Sequence, residues 1–271
     1  KTVDMPEEGG VSVGRYCFAN DGMLQDINLS KTDGVIEEGA FYGCTALRSV
    51  NLAGVRVIGD LAFADCALLS EVLVPDVEQI GARAFAKYDQ NIGFAPCFTS
   101  ITLPETLVKL GEGAFAGQTS LRSVVLPSSL TAVNIGADAF NGCTGLRSVT
   151  LPETLDAIAK GMFANCDMLS EINLGNVAVF GAGAFENCFS LQNVDLSSAE
   201  EIGERAFADV PVKGEIDAPA LVKVGAGAFE NSGEMTSPAL TAFNAPALRE
   251  IGESAFAGVT TLTEFVFSAQ L

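Results

Sequence analysis

Apolar positions along this chain keep step with a phenylalanine that returns every 22 to 30 residues. The anchors are Phe18, Phe41, Phe63, Phe85, Phe115, Phe140, Phe163, Phe185, Phe207, Phe229 and Phe256, at successive spacings of 23, 22, 22, 30, 25, 23, 22, 22, 22 and 27. Around each anchor runs a version of IGxxAFxxCxxLxxVxLP, so eleven units of one kind follow one another almost from end to end. A glycine stands four residues before the anchor in nine of the eleven units, where a corner needs either a positive φ or a close backbone approach. Alanine stands just before the anchor in nine, with Cys17 and Met162 as exceptions, and so small a side chain lets neighbouring units come together. The stretch from the glycine to the cysteine slot is too brief for an α-helix and predicts a short helical or 3-10 turn.

After that turn come LRSVNL (47–52), LRSVVL (121–126), LRSVTL (146–151) and LQNVDL (191–196), whose β-branched residues and alternation predict a short strand. Val50 and Leu52 point inward on this reading, and Ser49 and Asn51 outward. Pro75, Pro104, Pro127, Pro152, Pro219 and Pro246 end the strands at corners where no backbone donor is needed. Segments such as LVKLG (107–111) predict a second extended piece on the opposite face. Stacked in register, the strands form a parallel sheet with coils about 4.8 Å apart. One unit cannot bury its own Phe, Leu and Val, so residues 1–271 read as a single solenoid held by the interfaces between neighbours. The last residues, FVFSAQL, arrive where another unit would begin, so the natural chain is expected to continue. The alternatives are a makeshift cap from Phe265 and Phe267 or pairing with another copy, which makes a monomer or weak end-to-end association the expected state.

The units IGDLAFADCALLSEVLVP (58–75) and IGERAFADV (202–210) resemble the BspA-type leucine-rich repeats, and the resemblance covers nearly the whole chain. It implies a right-handed leucine-rich-repeat superhelix of about eleven repeats, β-rich, with short parallel strands and short helical or 3-10 turns. It also implies a bacterial secreted or cell-surface setting and a part in adhesion to host or matrix proteins. Repeat folds host many functions, so the resemblance names a repeat type and not a ligand.

Composition narrows the function further. With 34 acidic against 15 basic residues, a net charge of −19, the chain lacks the clustered Lys and Arg that nucleic acid or anionic lipid requires. No apolar run approaches the roughly 20 residues of a membrane span, and KTVDMPEEGG at the start has no hydrophobic signal core. Histidine is absent, which removes Ser-His-Asp and Cys-His nucleophiles, HExxH and histidine-ligated zinc. Glycine-rich GEGAFAG (111–117) and GAGAF (181–185, 225–229) lack the spacing and following lysine of a phosphate loop, so no cofactor is expected. LPETL at 103–107 and 151–155 resembles a cell-wall sorting signal, but it is internal, lacks the final glycine and follows from the repeat itself. Cys44, Cys66, Cys143, Cys166 and Cys188 share one slot of the repeat, where they read as small buried hydrophobes and not as metal ligands. Cys17 and Cys97 lie several coils apart, beyond disulfide reach.

Two places stand out as candidate sites. Glu171, Asn173, Asn193, Asp195, Glu215 and Asp217 take outward positions on three consecutive predicted strands. They read as a solvated or partner-facing patch, as a calcium site, or as a carboxylate pair for glycoside hydrolysis. Like charges one strand apart cost only about 1 kcal/mol in water, so the patch needs no function to persist. The second place is the eight-residue excess after Phe85, within KYDQNIGFAPC (87–97), which puts Tyr88 and Phe94 in a projecting loop as recognition anchors, or folds Phe94 or Ile92 back onto the core. A polar stretch, NSGEMTS (231–237), reads as another loop. The expectation is a non-catalytic surface module that binds a protein or glycan. The alternatives are a structural spacer rod and, more remotely, a carbohydrate-active enzyme needing at least one raised carboxyl pKa around Asp195, Glu215 and Asp217.

Overall fold

The computed structural model describes residues 2–3, 10–30, 32–87, 99–233 and 239–267. Each coil has three sides. On the first, Thr2–Val3, Asp26–Asn28, Ser49–Asn51 and Glu71–Leu73 form one parallel sheet. Ser100–Thr102, Ser123–Val125, Ser148–Thr150 and Glu171–Ile172 form the next, and Lys213–Asp217, Ala239–Ala245 and Glu264–Phe267 a third. Spatial order follows chain order, and equivalent residues align, Ile27 with Val50 with Val72 and Ile101 with Val124 with Val149. The alternation is as expected, with Val50 and Leu52 buried and Asn51 exposed. The second side carries strands of mostly two residues, such as Val57–Ile58, Gln79–Ile80 and Lys109–Leu110, also parallel.

The third side is built on the phenylalanines. All ten consecutive anchor pairs, from Phe18 to Phe256, stack face to face with ring centroids 5.1 to 5.7 Å apart. The backbone here differs from the helical or 3-10 turn that the sequence predicts. Two residues before each of the eleven anchors φ lies between +53° and +62°, at Tyr16, Leu61, Arg83, Asp138, Arg205 and Ser254 as well as at five glycines. Most coils return to positive φ two residues after the anchor, for example at Asn20, Asp65, Asn165 and Asp209. This alternation turns successive outward N–H groups the same way. Leu61, Phe63 and Asp65 donate to the carbonyls of Ala82, Ala84 and Ala86 in the next coil at 2.9, 2.8 and 3.0 Å. A helical turn would spend those donors within its own segment. The left-handed conformation costs a non-glycine residue roughly 1–2 kcal/mol, which the bonds between coils offset. Among the described residues the one 3-10 helix is Ala132–Asn134, in the bulge before Phe140.

Except at Gly14, where nothing lies within 4 Å, the glycine four residues before the anchor serves close approach and not positive φ. A Cβ on Gly59, Gly81, Gly181 or Gly203 would lie 2.5 to 2.8 Å from backbone of the preceding coil. Glu37 and Ala159 replace it where the second-side ladder to the preceding coil is irregular. Glu37 follows the register shift between Val11–Val13 and Thr32–Ile36, and Ala159 follows Ala157–Ile158, which begins a new sheet. One continuous hydrophobic cluster runs from Val13 to Ala255 between the three sides.

Candidate functional site

The acidic positions do not form one continuous strand surface. Glu171 ends the second sheet of the first side, residues 191–196 take no strand conformation, and Glu215 and Asp217 belong to the third sheet. Asn193 and Asp195 are therefore not on the predicted strand. Several of these side chains hold the fold together. Asn173 Oδ1 accepts from Leu151 N at 2.8 Å while its Nδ2 donates to Leu151 O at 2.9 Å, so the carboxamide replaces a missing ladder pair. Asp195 Oδ1 accepts from Ser197 N at 3.0 Å, and its bonds to Ser197 hold its carboxyl below the usual range. A glycosidase acid would need the opposite shift. Asp217 Oδ1 accepts from Asn244 Nδ2 at 2.7 Å. Glu171 and Glu215 point to solvent. Among the described residues no group of three or more Cys, Asp or Glu is arranged to hold a metal ion.

Tyr88 and Phe94 lie outside the described residues, as do Cys97 and residues 234–238. Glu71–Leu73 and Ser100–Thr102 belong to different sheets, and a cleft of about 900 Å³ on the first side runs across four successive strands, lined by Asp26, Asn51, Glu71, Leu73, Ile101 and Thr102 among others. None of these residues is among the expected site positions. The signal was in the sequence: the run EVLVP (71–75) places Leu73 outward where the preceding units have Asn28 and Asn51. Leu73 is 68 % exposed, and Val125, which aligns with Thr102 on the next strand, is 58 % exposed. On the third side a smaller depression of about 310 Å³ lies beside Asn141, Asn165 and Arg205.

The sequence profile described as BspA type leucine rich repeat region (6 copies) matches residues 1–92, 93–213, 132–236 and 180–271, which together span the chain. The chain belongs to the BspA-type leucine-rich repeat family. This BspA-type chain is similar to several solved structures. The pneumococcal vaccine antigen PcpA is 16% identical, with a TM-score of 0.52 over 100% of this chain and 84% of that one, and it shares the fold. A leucine-rich repeat protein of T. pallidum is 26% identical over 71% of this chain and 78% of that one, at a TM-score of 0.49. A leucine-rich cell surface protein of Faecalibacterium prausnitzii is 20% identical over 99% and 88%, at 0.47. No curated protein matches the sequence.

In this BspA-type chain the cysteine slot does more than fill space. The six described cysteines are free thiols, and all but Cys17 are buried. Cys44, Cys66, Cys143, Cys166 and Cys188 each donate Sγ–H to the carbonyl of the preceding coil's anchor, at 3.0 to 3.3 Å. Gln118, in the same slot, donates Nε2–H to Phe85 O. Burial pushes the thiols up, to about 11 at Cys44 and about 12 at Cys143, so they stay protonated donors and are poor nucleophiles near neutral pH. Among the described residues no helix is long and apolar enough to cross a membrane.

Proposed function

We propose that this chain is a non-catalytic interaction module of a bacterial secreted or cell-surface protein, and that it binds a protein or glycan through the first, strand-bearing side of its coils. The family is one of repeat proteins, which generally present surfaces instead of catalytic centres. The observation that carries the reading is the cleft of about 900 Å³ on that side, where Leu73 and Ile101 lie among Asp26, Asn51, Glu71 and Thr102. Apolar surface ringed by polar groups is the usual composition of a binding site. Such a module needs no histidine, metal or cofactor. Tyr88 and Phe94 are a second proposed contact, because in sequence their segment leads directly into Ser100–Thr102, which lines the cleft. Glu171, Asn193 and Glu215 are proposed as the polar rim further along the same side.

The test is an array of matrix proteins, mucins and glycans probed with the purified chain. Saturable binding to one class is the expected result. A folded chain that binds none would leave the spacer rod as the remaining account.

A further inference from the structure

In a chain with 34 acidic residues, the second sheet of the first side holds three neighbouring strands that carry none. On Ser100–Thr102, Ser123–Val125 and Ser148–Thr150 the central residues Ile101, Val124 and Val149 are buried, so Ser100, Thr102, Ser123, Val125, Ser148 and Thr150 face outward. The same row is acidic to either side. Glu171 aligns with Ser148 on the next strand, and Asp26 and Glu71 begin strands of the preceding sheet.

An arginine precedes each of the two later strands. Arg147 N donates to Arg122 O at 2.8 Å, and Ser123 aligns with Ser148, so the two arginines stand side by side on neighbouring coils. Both are exposed. Arg15, Arg56, Arg83 and Arg205 each pair with a glutamate, whereas among the described residues Arg122 and Arg147 have no ion pair. Arg48 holds the same place in the first sheet, but Gln25 and Ser70 flank it there and it has no cationic neighbour. Two like charges one strand apart cost about 1 kcal/mol in water, and an anion shared between them removes that cost.

The hydroxyls beside the arginines are free as well. Ser49 donates to Asp26 Oδ1 and Ser70 to Arg48 O, but among the described residues Ser123, Ser148 and Thr150 make no side-chain hydrogen bond. Val125, 58 % exposed, lies between Thr102 and Thr150. The patch therefore presents two guanidinium forks, a row of hydroxyl donors and acceptors, and one apolar seat.

We propose that this patch binds an acidic glycan, a sugar chain bearing sulfate or carboxylate groups. Arg122 and Arg147 hold the anionic group, Ser123, Ser148 and Thr150 bond sugar hydroxyls, and Val125 lies under the C–H face of a ring. The proposal deepens the interaction-module reading and rests on it, with the ligand's charge placed on the strands next to the cleft. Two arginines are too few for nucleic acid or a lipid surface. An acidic peptide offers few hydroxyls to meet the Ser and Thr row, whereas every unit of a sugar chain carries them.

The test measures binding of fluorescein-labelled hexasaccharides to the purified chain in about 0.15 M salt, where distant charges are screened. The probes are a sulfated galactan, a galacturonan and an unsubstituted galactan, with hexaglutamate beside them. At least one acidic hexasaccharide is expected to bind saturably, and the neutral one and hexaglutamate about tenfold or more weakly. Arg122→Gln and Arg147→Gln are each expected to weaken binding of the acidic sugar about tenfold or more, because each removes a charged fork. Arg56→Gln, before Val57–Ile58 on the second side, is expected to leave it unchanged. Failure of both acidic sugars, equal binding of the neutral sugar, or equal weakening by Arg56→Gln and Arg122→Gln would overturn the proposal. Hexaglutamate binding as tightly as the acidic sugar would overturn it too, by giving the patch to an acidic peptide. The array separates the two readings. If a ligand there binds the wild type and Arg147→Gln alike while the acidic sugars fail, the acidic-glycan proposal falls and the interaction module stands. If array and sugars both fail, both fall.

Discussion

Cys66 Sγ lies 3.1 Å from the carbonyl oxygen of Phe41, the stacked anchor one coil back, and donates its hydrogen to it. The same carbonyl accepts from the backbone N–H of Cys44 at 3.1 Å, so the thiol is its second donor. Val210 fills the slot without any donor, and among the described residues Phe185 O then keeps only the bond from Cys188 N. Cys166→Val is therefore expected to cost about 1 kcal/mol or less, since one weak bond is lost and volume is nearly kept. Cys166→Asp, which buries a carboxylate, is expected to unfold the central coils. Urea unfolding of the two variants checks both.

The same thiols make stability depend on pH. Their folded values are raised by burial, to about 11 at Cys44 and about 12 at Cys143, and well above the ordinary value at Cys166. Below the unfolded value, near 8.5, both states keep the proton and the contribution is complete. Above it the unfolded chain releases protons that the folded chain retains, so stability falls as pH rises from about 9 to 12. The double variant Cys143→Val, Cys188→Val is expected to show a flatter decline of the urea midpoint across that range. Parallel curves for variant and wild type would contradict this.

Glycines of the repeat divide by what their Cβ would meet. On Gly203 it would lie 2.7 Å from Ala182 N, whereas on Gly14 nothing lies within 4 Å. Gly203→Ala is expected to destabilise by about 1–3 kcal/mol through forced separation of two coils. Gly14→Ala is expected to be neutral or to stabilise by up to about 1 kcal/mol, because it only stiffens the unfolded chain. Thermal melts of the two single variants provide the comparison.

Arg205 ties three coils together on the third side. Its Nε donates to Glu186 Oε1 at 2.8 Å and its Nη1 to Glu230 Oε2 at 2.6 Å, with Asp209 Oδ2 4.0 Å from Nη2. The hydrogen bond it donates to Glu186 is the main cause of its raised pKa. The Arg205 side chain is 37% exposed, so solvent screens the network. Arg205→Ala is expected to cost within about 1 kcal/mol at low salt and less at 1 M, measured as the shift in urea midpoint at the two ionic strengths.

Much of this was legible in the sequence because the repeat constrains it eleven times over. The phenylalanine spacing gives the coil length, the alternation around Val50 gives the strand and its buried face, and Gly59 and its equivalents mark the close approach. The left-handed turns were not legible, because Leu61, Arg83 and Tyr16 occupy positive φ that no single-residue preference suggests. Neighbouring coils impose that conformation through the bonds that Leu61, Phe63 and Asp65 make. The strand predicted at 191–196 is absent although LQNVDL carries the right pattern, which shows alternation deciding what is buried but not whether a ladder closes. The carboxylates at Asp195 and Asp217 caught the eye as chemistry, yet their partners Ser197 and Asn244 engage them structurally. The cleft beside Leu73 is not legible in the sequence because four strands 22 to 29 positions apart line it, brought together only by the coil.

The most direct test of the account compares the sides of the coil on the matrix-protein, mucin and glycan array. Leu73→Asp and Val125→Asp place a charge on the strand side, and Val179→Asp, at a site 39% exposed, places one on the second side. The account predicts saturable binding by the wild type, a loss of about tenfold or more with at least one strand-side variant, and no loss with Val179→Asp. Binding that Val179→Asp abolishes while both strand-side variants retain it would contradict the account, as would a folded wild type that binds nothing.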